Sequence, residues 1–337
     1  MDTSLNERVD VTVIGGGPVG LFASFYAGLR GMSVRIIDSL PDLGGQLTAL
    51  YPEKYVYDMP GFPKVLAKDL AASLIAQGTQ FHPHLALSET AETLISDSAE
   101  GYTIQTAKGV SLPTRTIIIA AGNGSFSPTR IGVERELEFE ATGCVHYGVR
   151  EKAVFAGKKL LIVGGGDSAF DWALNLVDVA ESIHLVHRRD QFRAHEDTVK
   201  RVQATPVQFK LWYVVKELRG NGKLSRVLLE NVQSKDTEEV DADSVVVNIG
   251  FKSSLGPLKD WGLQIEKNQI VVDHHFRTNI PGVFAVGDVC SFEGKLKLIA
   301  TGVGEAASAV CQAKTMIDPA AKLFPGHSSD MDLGATS

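Results

Sequence analysis

At 337 residues the chain exceeds the size at which a single hydrophobic core usually stops growing, so we expect two domains. Its 44% hydrophobic and 22% charged residues are ordinary for a globular protein, and the net charge of -7 argues against a general nucleic-acid binder. No apolar run approaches the length that crosses a bilayer, and the first residues lack the pattern of a signal peptide, so we expect a cytoplasmic protein without a membrane partner.

The first predicted strand ends in Gly15-x-Gly17-x-x-Gly20 and continues into a predicted helix. Gly15 allows a tight turn, Gly17 lets a pyrophosphate approach the backbone, and Gly20 lets the helix pack on the strand. The free amides at the helix N-terminus attract phosphate groups. The next strand ends at Asp38, close to the spacing of a carboxylate that binds ribose hydroxyls. These elements predict a dinucleotide site rather than a glycine turn that serves packing alone.

A long irregular segment follows Asp38 and is rich in glycine, proline and tyrosine. Such segments inside compact domains are more often functional than not. Gln46 can hydrogen-bond a ligand ring and Tyr51 can stack on one, the alternative being a surface loop with core tyrosines. Beyond it we predict an amphipathic helix over residues 64–78, several antiparallel strands over 79–112, and a buried strand that ends at Gly122.

A second strand, glycine turn and helix begin at residue 158, and the following strand ends in a basic cluster instead of an acid. The residues of this second site are Gly164, Gly166, Ser168, His187, Arg188, Arg189 and Arg193. Guanidinium groups bind a ribose 2′-phosphate bidentately, whereas a carboxylate would repel it. We therefore expect NADP(H) here, with a solvated basic turn as the alternative. Because Asp38 would repel that phosphate, we expect the first site to hold FAD.

The rest of the chain contributes further strands, over 208–215, 224–231 and 243–250, and then returns to the first domain. Asp288 follows a buried strand and can accept a hydrogen bond from a ribityl hydroxyl. A helix that begins at Ile299 would direct its N-terminus at negative charge on a reduced flavin. The three cysteines, Cys144, Cys290 and Cys311, form no CxxC pair, so we expect inert thiols and no metal site.

These elements predict an α/β fold class with two Rossmann-like three-layer nucleotide-binding domains, the second inserted in the first. We expect the FAD-binding domain to comprise residues 1–122 and 251–337, and the NADP-binding domain to comprise residues 123–250.

Five motifs, in this order over nearly the whole chain, resemble the low-molecular-weight thioredoxin reductases. They are Gly15-x-Gly17-x-x-Gly20, Gly-Gly-Gln46, Gly164-x-Gly166-x-x-Ala169, His187-Arg-Arg-Asp190 and Gly287-Asp288. Those enzymes carry a Cys-x-x-Cys just before the second glycine motif, where this chain has Cys144 alone. One thiol cannot form a dithiol, so thioredoxin reduction through an internal disulfide is not expected. The sequence is similar instead to the thioredoxin-reductase-like ferredoxin/flavodoxin–NADP reductases, which lack the dithiol and extend at the C-terminus.

This resemblance implies a set of FAD contacts: Asp38, Gln46, Tyr51, Ala91, Phe126, Asp288 and Ser329. It also implies that Tyr51 stacks on one flavin face and that His327 from the partner subunit of a homodimer covers the other. Electrons would pass from NADPH through FAD to ferredoxin or flavodoxin, without a catalytic acid or base from the protein. Two alternatives remain open: an NADPH-dependent flavoprotein with another acceptor (oxygen, a quinone or a separate disulfide protein), and a non-enzymatic redox-sensing module that binds FAD and NADPH.

Overall fold

The computed structural model of the chain describes residues 7–97, 100–149 and 151–327, without the side chains of residues 125–127, 252 and 253. The chain separates into two compact units. Unit 1 comprises Met1–Phe126 and Ser253–Ser337, and unit 2 comprises Ser127–Lys252. Each unit has its own main sheet, mixed in unit 1 and parallel in unit 2, and unit 2 is inserted between the two segments of unit 1.

The elements follow one another in chain order. The first segment of unit 1 forms β1 (Val9–Ile14), α1 (Pro18–Leu29), β2 (Val34–Asp38), α2 (Gln46–Ala49), β3 (Tyr55–Val56), β4 (Val65–Leu66), α3 (Ala67–Gly78), β5 (His84–Leu87), β6 (Ala91–Asp97), β7 (Gly101–Thr106) and β8 (Ser111–Ile119), and β9 (Ser125–Pro128) leads out of it. Unit 2 forms α4 (Glu136–Ala141), β10 (Val145–His146), β11 (Lys159–Val163), α5 (Asp167–Leu176), β12 (Ser182–His187), α6 (Glu196–Gln203), β13 (Gln208–Leu211), β14 (Tyr213–Gly220), β15 (Leu224–Asn231), β16 (Thr237–Asp241) and β17 (Ser244–Val247). The chain returns through β18 (Phe251–Ser254) to β19 (Ile265–Glu266), β20 (Gln269–Val271), β21 (Val283–Ala285), β22 (Cys290–Ser291) and α7 (Ile299–Ile317).

The main sheet of unit 1 has the strand order β5-β2-β1-β8-β7-β6, and β21 also pairs with β8. Strand β1 is parallel to both of its neighbours, with Val13 opposite Ile36 and Ile118. Its side chains are almost all buried, which is typical of a parallel strand covered on both faces. On one face α1 and α7 pack small residues such as Ala23 and Ala306 against it.

Two strand predictions are corrected by the structure. Strand β5 was expected to be antiparallel like β6 to β8, but it is parallel to β2 because helix α3 carries the chain back across the sheet first. Residues 208–215 do not form one strand, since Trp212 has a φ of 66° and divides β13 from β14. The predicted helix over 64–78 begins at Ala67, after the short strand β4.

The main sheet of unit 2 has the order β10-β17-β11-β12-β13, and all of its pairs are parallel. One face packs against the antiparallel sheet β14-β15-β16, where Leu161 and Leu218 share a cluster. The other face packs against α5, where Leu160 and Phe170 share a second cluster. In the described part of the chain no helix combines the length and the apolarity that crossing a bilayer requires.

The strand order reverses at β1 in unit 1 and at β11 in unit 2, because each has the next strand of the sequence on one side and a much later strand on the other. Open α/β sheets bind ligands in the crevice beyond the carboxyl ends of the strands at such a switch point. Both predicted glycine motifs start directly after these ends, at Gly15 and Gly164. Each unit therefore presents one crevice where the sequence predicts a nucleotide.

Candidate functional site

The outer glycines of the first motif are required by the fold of unit 1. Gly15 has a φ of 110°, and a Cβ atom there would lie 2.4 Å from the carbonyl oxygen of Ala120, just beyond the end of the neighbouring strand β8. A Cβ atom on Gly20 would lie 1.8 Å from the carbonyl oxygen of Gly15, so α1 can pack on the turn only with glycine at this position. The structure thus agrees with the tight-turn and close-packing roles that the sequence predicts for these glycines.

Asp38 holds the glycine turn from the end of β2. Its Oδ2 accepts a hydrogen bond of 2.6 Å from the Gly16 amide, and its Oδ1 accepts one of 2.8 Å from the Leu40 amide. The side chain is buried, and this burial raises the pKa of Asp38, although the two amide bonds oppose the shift. Carboxylate oxygens have further lone pairs, so Asp38 can still accept a hydrogen bond from a ribose hydroxyl.

The irregular segment brings Gln46 and Tyr51 to the same crevice. Gly45, the residue before Gln46, approaches so closely that a Cβ atom there would lie 2.8 Å from the Gly17 Cα. The Gln46 side-chain nitrogen lies 3.5 Å from the Cβ position of Gly122, just beyond the end of β8. Tyr51 is half-buried, and its pKa is raised by burial and then by the negative charges of Asp288 and Asp58. The structure therefore places Gln46 and Tyr51 near the other predicted flavin contacts.

A buried ion pair lies beneath the Gly287–Asp288 turn. The Lys295 ammonium is 2.5 Å from one carboxylate oxygen of Glu305, and the two side chains are only 7% and 5% exposed. The other oxygen of Glu305 accepts a hydrogen bond of 2.7 Å from the Gly287 amide. The Cys290 thiol donates to the Gly287 carbonyl at 3.3 Å. The turn that carries Asp288 is thus fixed from α7 by a charged side chain.

Two helix N-termini meet at this crevice. A Cβ atom on Gly302, in the first turn of α7, would lie 2.5 Å from Val19 in the first turn of α1 and 3.4 Å from the Gly287 Cα. The predicted start of this helix at Ile299 is confirmed. Helix N-termini carry partial positive charge, so the pair favours an anionic ligand such as a dinucleotide.

The remaining predicted flavin contacts have different positions. Ala91 is buried at the start of β6, and the amide of the nearby Glu89 donates to the Asp38 carbonyl at 3.0 Å. The side chain of Phe126 and the whole of Ser329 lie outside the described residues. His327 is exposed, and its ring packs edge-on against Phe324 at 5.5 Å between centroids.

In unit 2 the second glycine motif repeats this architecture. Gly164 has a φ of 149°, and a Cβ atom there would lie 2.2 Å from the carbonyl oxygen of Asn248. A Cβ atom on Gly165 would lie 2.4 Å from the His187 ring, so this glycine lets the ring pack on the turn. Gly166 is the N-cap of α5, and Ser168 is exposed in the first turn of that helix.

The basic cluster follows the end of β12. His187 Nε2 donates to the Gln191 carbonyl at 3.2 Å, and burial lowers the pKa of His187, so its ring is neutral at pH 7. The Arg193 amide donates to the Gly165 carbonyl at 2.7 Å, which ties the cluster to the glycine turn. Arg188, Arg189 and Arg193 are exposed, and none of them pairs with an acid among residues that the structure describes. Their charge is therefore available for an external anion.

The middle glycine of each motif has no role within the described structure. Gly17 and Gly166 have φ values of -77° and -105°, which any residue can adopt. A Cβ atom on Gly166 would have no described atom within 4 Å, and one on Gly17 would meet only the Gly45 Cα, at 3.9 Å. The space that these glycines keep free fits a pyrophosphate at a helix N-terminus. Both crevices therefore have room and donors for a dinucleotide.

The three cysteines do not form a redox pair. Each is a free thiol, and Cys144 and Cys290 are buried. Burial raises the pKa of Cys290 to about 12, so this thiol stays protonated at neutral pH. Cys311 Sγ accepts a hydrogen bond from Arg30 at 3.0 Å. Within each unit, no described thiol is paired with a second one as an internal dithiol relay would require.

The fold and the two crevices define a pyridine nucleotide oxidoreductase. The chain belongs to the pyridine nucleotide-disulphide oxidoreductase family, which residues 9–312 match. It is 50% identical over 326 residues to the ferredoxin–NADP reductase of Halalkalibacterium halodurans, covering 96% of this chain and 98% of that protein. It is also 50% identical to the ferredoxin–NADP reductase of Geobacillus thermodenitrificans over 323 residues, covering 96% of this chain and 97% of that protein. The resemblance inferred from the motifs is confirmed.

Solved structures agree with this assignment. The T. acidophilum thioredoxin reductase superposes with a TM-score of 0.75 at 25% identity, covering 93% of this chain and 100% of that chain. The Lactococcus lactis thioredoxin reductase in its FR conformation superposes with a TM-score of 0.73 at 28% identity, covering 92% of this chain and 99% of that chain. The α/β fold class with an inserted second nucleotide-binding domain is thereby confirmed.

Some residues of the site were not identified from the sequence. Gly16 could have been, because it stands between two glycines of the first motif. Lys295 and Glu305 could not, because nothing in their spacing indicates that a loop lysine and a helix glutamate form a buried pair. Only the tertiary packing of α7 beneath Gly287 brings them together.

Proposed function

We propose that the chain is an FAD-dependent ferredoxin–NADP reductase, which moves electrons between NADPH and ferredoxin. The observation that carries this proposal is the contrast between its two crevices. At the end of the second strand, the first crevice has the buried carboxylate of Asp38. The second crevice has the exposed guanidinium groups of Arg188, Arg189 and Arg193 at the corresponding place. The first therefore favours a nucleotide with free ribose hydroxyls, and the second favours one with a 2′-phosphate.

In the first crevice the residues bind and orient FAD. Gly17 gives the pyrophosphate access to the amides of α1, while Asp38 accepts a hydrogen bond from the adenosine ribose. Asp288 accepts one from the ribityl chain, and Glu305 holds the turn that carries Asp288. Gln46 hydrogen-bonds the flavin ring and Tyr51 stacks on it. Ala91, Phe126 and Ser329 complete this proposed set.

In the second crevice the residues bind NADP(H). Gly166 gives the pyrophosphate access to the amides of α5, and Ser168 lies in the first turn of that helix. Neutral His187 packs on the glycine turn, so the positive charge at the ribose comes from the three arginines. FAD, when bound, supplies the exchange between hydride transfer and single-electron transfer. No acid or base of the chain is required for it.

The coenzyme assignment is tested by Arg188→Ala and Arg189→Ala. A charge-assisted hydrogen bond contributes about 1.5–3 kcal/mol, so each change should raise the KM for NADPH roughly 10- to 150-fold and leave the KM for NADH unchanged. Arg226→Ala is the matched control, because Arg226 is an exposed arginine of unit 2 that pairs with Glu239 within the β14-β15-β16 sheet, which does not carry the glycine turn. Equal effects on the two coenzymes would refute the assignment.

The acceptor is tested by the rate at which reduced protein is reoxidised under anaerobic conditions. We expect ferredoxin and flavodoxin to reoxidise it faster than thioredoxin does, because Cys144 has no second cysteine near it in sequence for a disulfide relay. A preference for a disulfide substrate would overturn the acceptor assignment. Binding of NADPH without bleaching of the flavin absorption would favour the non-enzymatic sensor.

We further propose that the protein is a cytoplasmic homodimer in which His327 of one chain covers the flavin of the other. Light scattering should give twice the mass of the chain, and His327→Ala should change the flavin absorption spectrum without changing that mass. A monomeric mass would contradict this arrangement, and so would a His327→Ala variant with the flavin spectrum of the unaltered protein.

A further inference from the structure

Asn248 is a half-buried residue that directly follows β17 in unit 2. Its backbone amide donates to the Val163 carbonyl at 2.7 Å, so its position follows directly from the pairing of β17 with β11. Its side-chain nitrogen is buried and has no hydrogen-bond partner in the described part of the chain. A buried donor without a partner is costly, and in native proteins it requires an explanation.

The place of Asn248 in the sheet indicates what it faces. Strand β11, which carries the glycine turn, lies between β17 and β12. The carbonyl oxygen of Asn248 lies 2.2 Å from the Cβ position of Gly164, the first glycine of that turn. Asn248 and the basic cluster therefore flank the glycine turn from opposite sides, about 10 Å apart at the usual strand spacing.

Three other buried polar atoms of unit 2 have no partner among the described residues. One is His146 Nε2, at the end of β10, which pairs with β17 and not with the strand that carries the glycine turn. The buried hydroxyl of Ser244 also has no partner among the described residues, but it stands at the opposite end of β17. His184 Nδ1, which is likewise buried without a described partner, belongs to the middle of β12. Of these four side chains, only Asn248 stands beside the glycine turn.

We propose that Asn248 binds the nicotinamide half of NADP(H) by donating a hydrogen bond to an oxygen of the second phosphate or of the nicotinamide ribose. This inference rests on the proposed NADP site. A dinucleotide lies across the switch point with its adenosine ribose at the end of the second strand and its pyrophosphate over the glycine turn. The arginines at the end of β12 mark the adenosine side, so the nicotinamide half lies on the side of β17, where the free donor of Asn248 lies.

The test uses two ligands that separate the two halves of the coenzyme. NADP⁺ contains both halves, and adenosine 2′,5′-bisphosphate contains only the half that carries the 2′-phosphate. Both bind to the oxidised flavoprotein without turnover, so calorimetry gives their Kd values directly. Asn248→Leu removes the donor at similar volume, and Asn248→Asp replaces it with an acceptor.

We expect Asn248→Leu to weaken NADP⁺ binding about three- to tenfold and to leave the bisphosphate unchanged, since one neutral hydrogen bond is lost. Asn248→Asp should weaken NADP⁺ further, because a carboxylate repels the phosphates. The Tm without nucleotide should rise in Asn248→Leu, because the buried donor is gone. Ser244→Ala is the matched control, and it should raise the Tm without changing either Kd.

The outcomes separate this inference from the proposed function. If Asn248→Leu leaves NADP⁺ binding unchanged, or weakens the bisphosphate by the same factor, the role of Asn248 is wrong. Arg188→Ala should weaken both ligands whatever Asn248 does. If Arg188→Ala weakens neither, or if NADP⁺ does not bind to the parent protein, the proposed site fails and this inference fails with it.

Discussion

The ion pair of Lys295 and Glu305 permits a quantitative prediction, because its side chains are only 7% and 5% exposed. Removing one member of a buried pair leaves an uncompensated charge, which usually costs about 3–5 kcal/mol. Lys295→Met leaves the Glu305 carboxylate buried, and Glu305→Gln leaves the Lys295 ammonium buried. Glu305→Gln keeps an oxygen that can accept from the Gly287 amide. We therefore expect each single change to destabilise unit 1 by about 3 kcal/mol or more.

The double variant Lys295→Met/Glu305→Gln should be much closer to the unaltered protein. It removes both charges, and replacing a buried pair by neutral side chains is often nearly neutral. A shift of 3 kcal/mol lowers the Tm of a domain of this size by roughly 6–12 °C, which circular dichroism measures easily. Because Glu305 fixes the turn that carries Asp288, the single variants should also release FAD faster during dialysis.

A matched control is available on the same helix. Lys314 and Asp318 form a more exposed pair at 3.8 Å, and Lys314→Met should change stability by less than about 1 kcal/mol. The prediction is refuted if the Tm of each single variant decreases by no more than the Tm of this control. It is also refuted if the double variant loses the sum of the two single losses, because that would show no energetic coupling.

Further predictions concern the glycines, a cysteine and the acid of the first site. Gly17→Ala should impair FAD binding and Gly166→Ala should impair NADP⁺ binding, while each changes the free energy of unfolding by less than about 1 kcal/mol. Gly20→Ala should instead impair folding, because its Cβ atom would lie 1.8 Å from the Gly15 carbonyl oxygen. Fluorescence titration measures the binding and Tm measures the stability, and normal FAD binding by Gly17→Ala would contradict the role of that glycine. Burial raises the pKa of Cys290 to about 12, so its thiolate fraction at pH 8 is roughly a thousandth of that of an exposed cysteine. Mass spectrometry after iodoacetamide treatment should therefore find Cys290 unmodified until the protein unfolds. Rapid labelling of the folded protein would contradict this prediction. Asp38→Asn should weaken FAD binding about tenfold or more, because the asparagine amide has one oxygen acceptor where the aspartate carboxylate has two. An unchanged Kd for FAD in a fluorescence titration would exclude Asp38 from the site.

Much of the fold could be predicted because its signals are local. The apolar strand β1, the glycines that follow it and Asp38 lie within one short stretch, and each has a steric or hydrogen-bonding reason that the structure shows. The same holds for Gly164 and His187 in unit 2. Motifs of this kind combine turn geometry with strand periodicity, which the sequence encodes directly.

The direction of β5 and the environment of Asn248 were not predictable in the same way. Alternation of apolar and polar residues indicates a strand but not its partner, so β5 was assigned to the wrong kind of pairing. Asn248 stands at the end of an apolar run, and its unpaired donor is evident only after β17 is placed beside β11. Likewise, the edge-on contact of His327 with Phe324 depends on the path of the chain after α7.

The different exposure of the charges at the two crevices has a consequence for how the protein can evolve. Asp38 is buried and holds two backbone amides, so its replacement disturbs the turn as well as the ligand. The arginines after β12 are exposed, and substitutions at such positions usually change stability by less than about 0.5 kcal/mol. Surface mutations can therefore change the preference between phosphorylated and unphosphorylated nicotinamide coenzymes with little effect on stability. A mutation of Asp38, in contrast, would affect both flavin binding and folding.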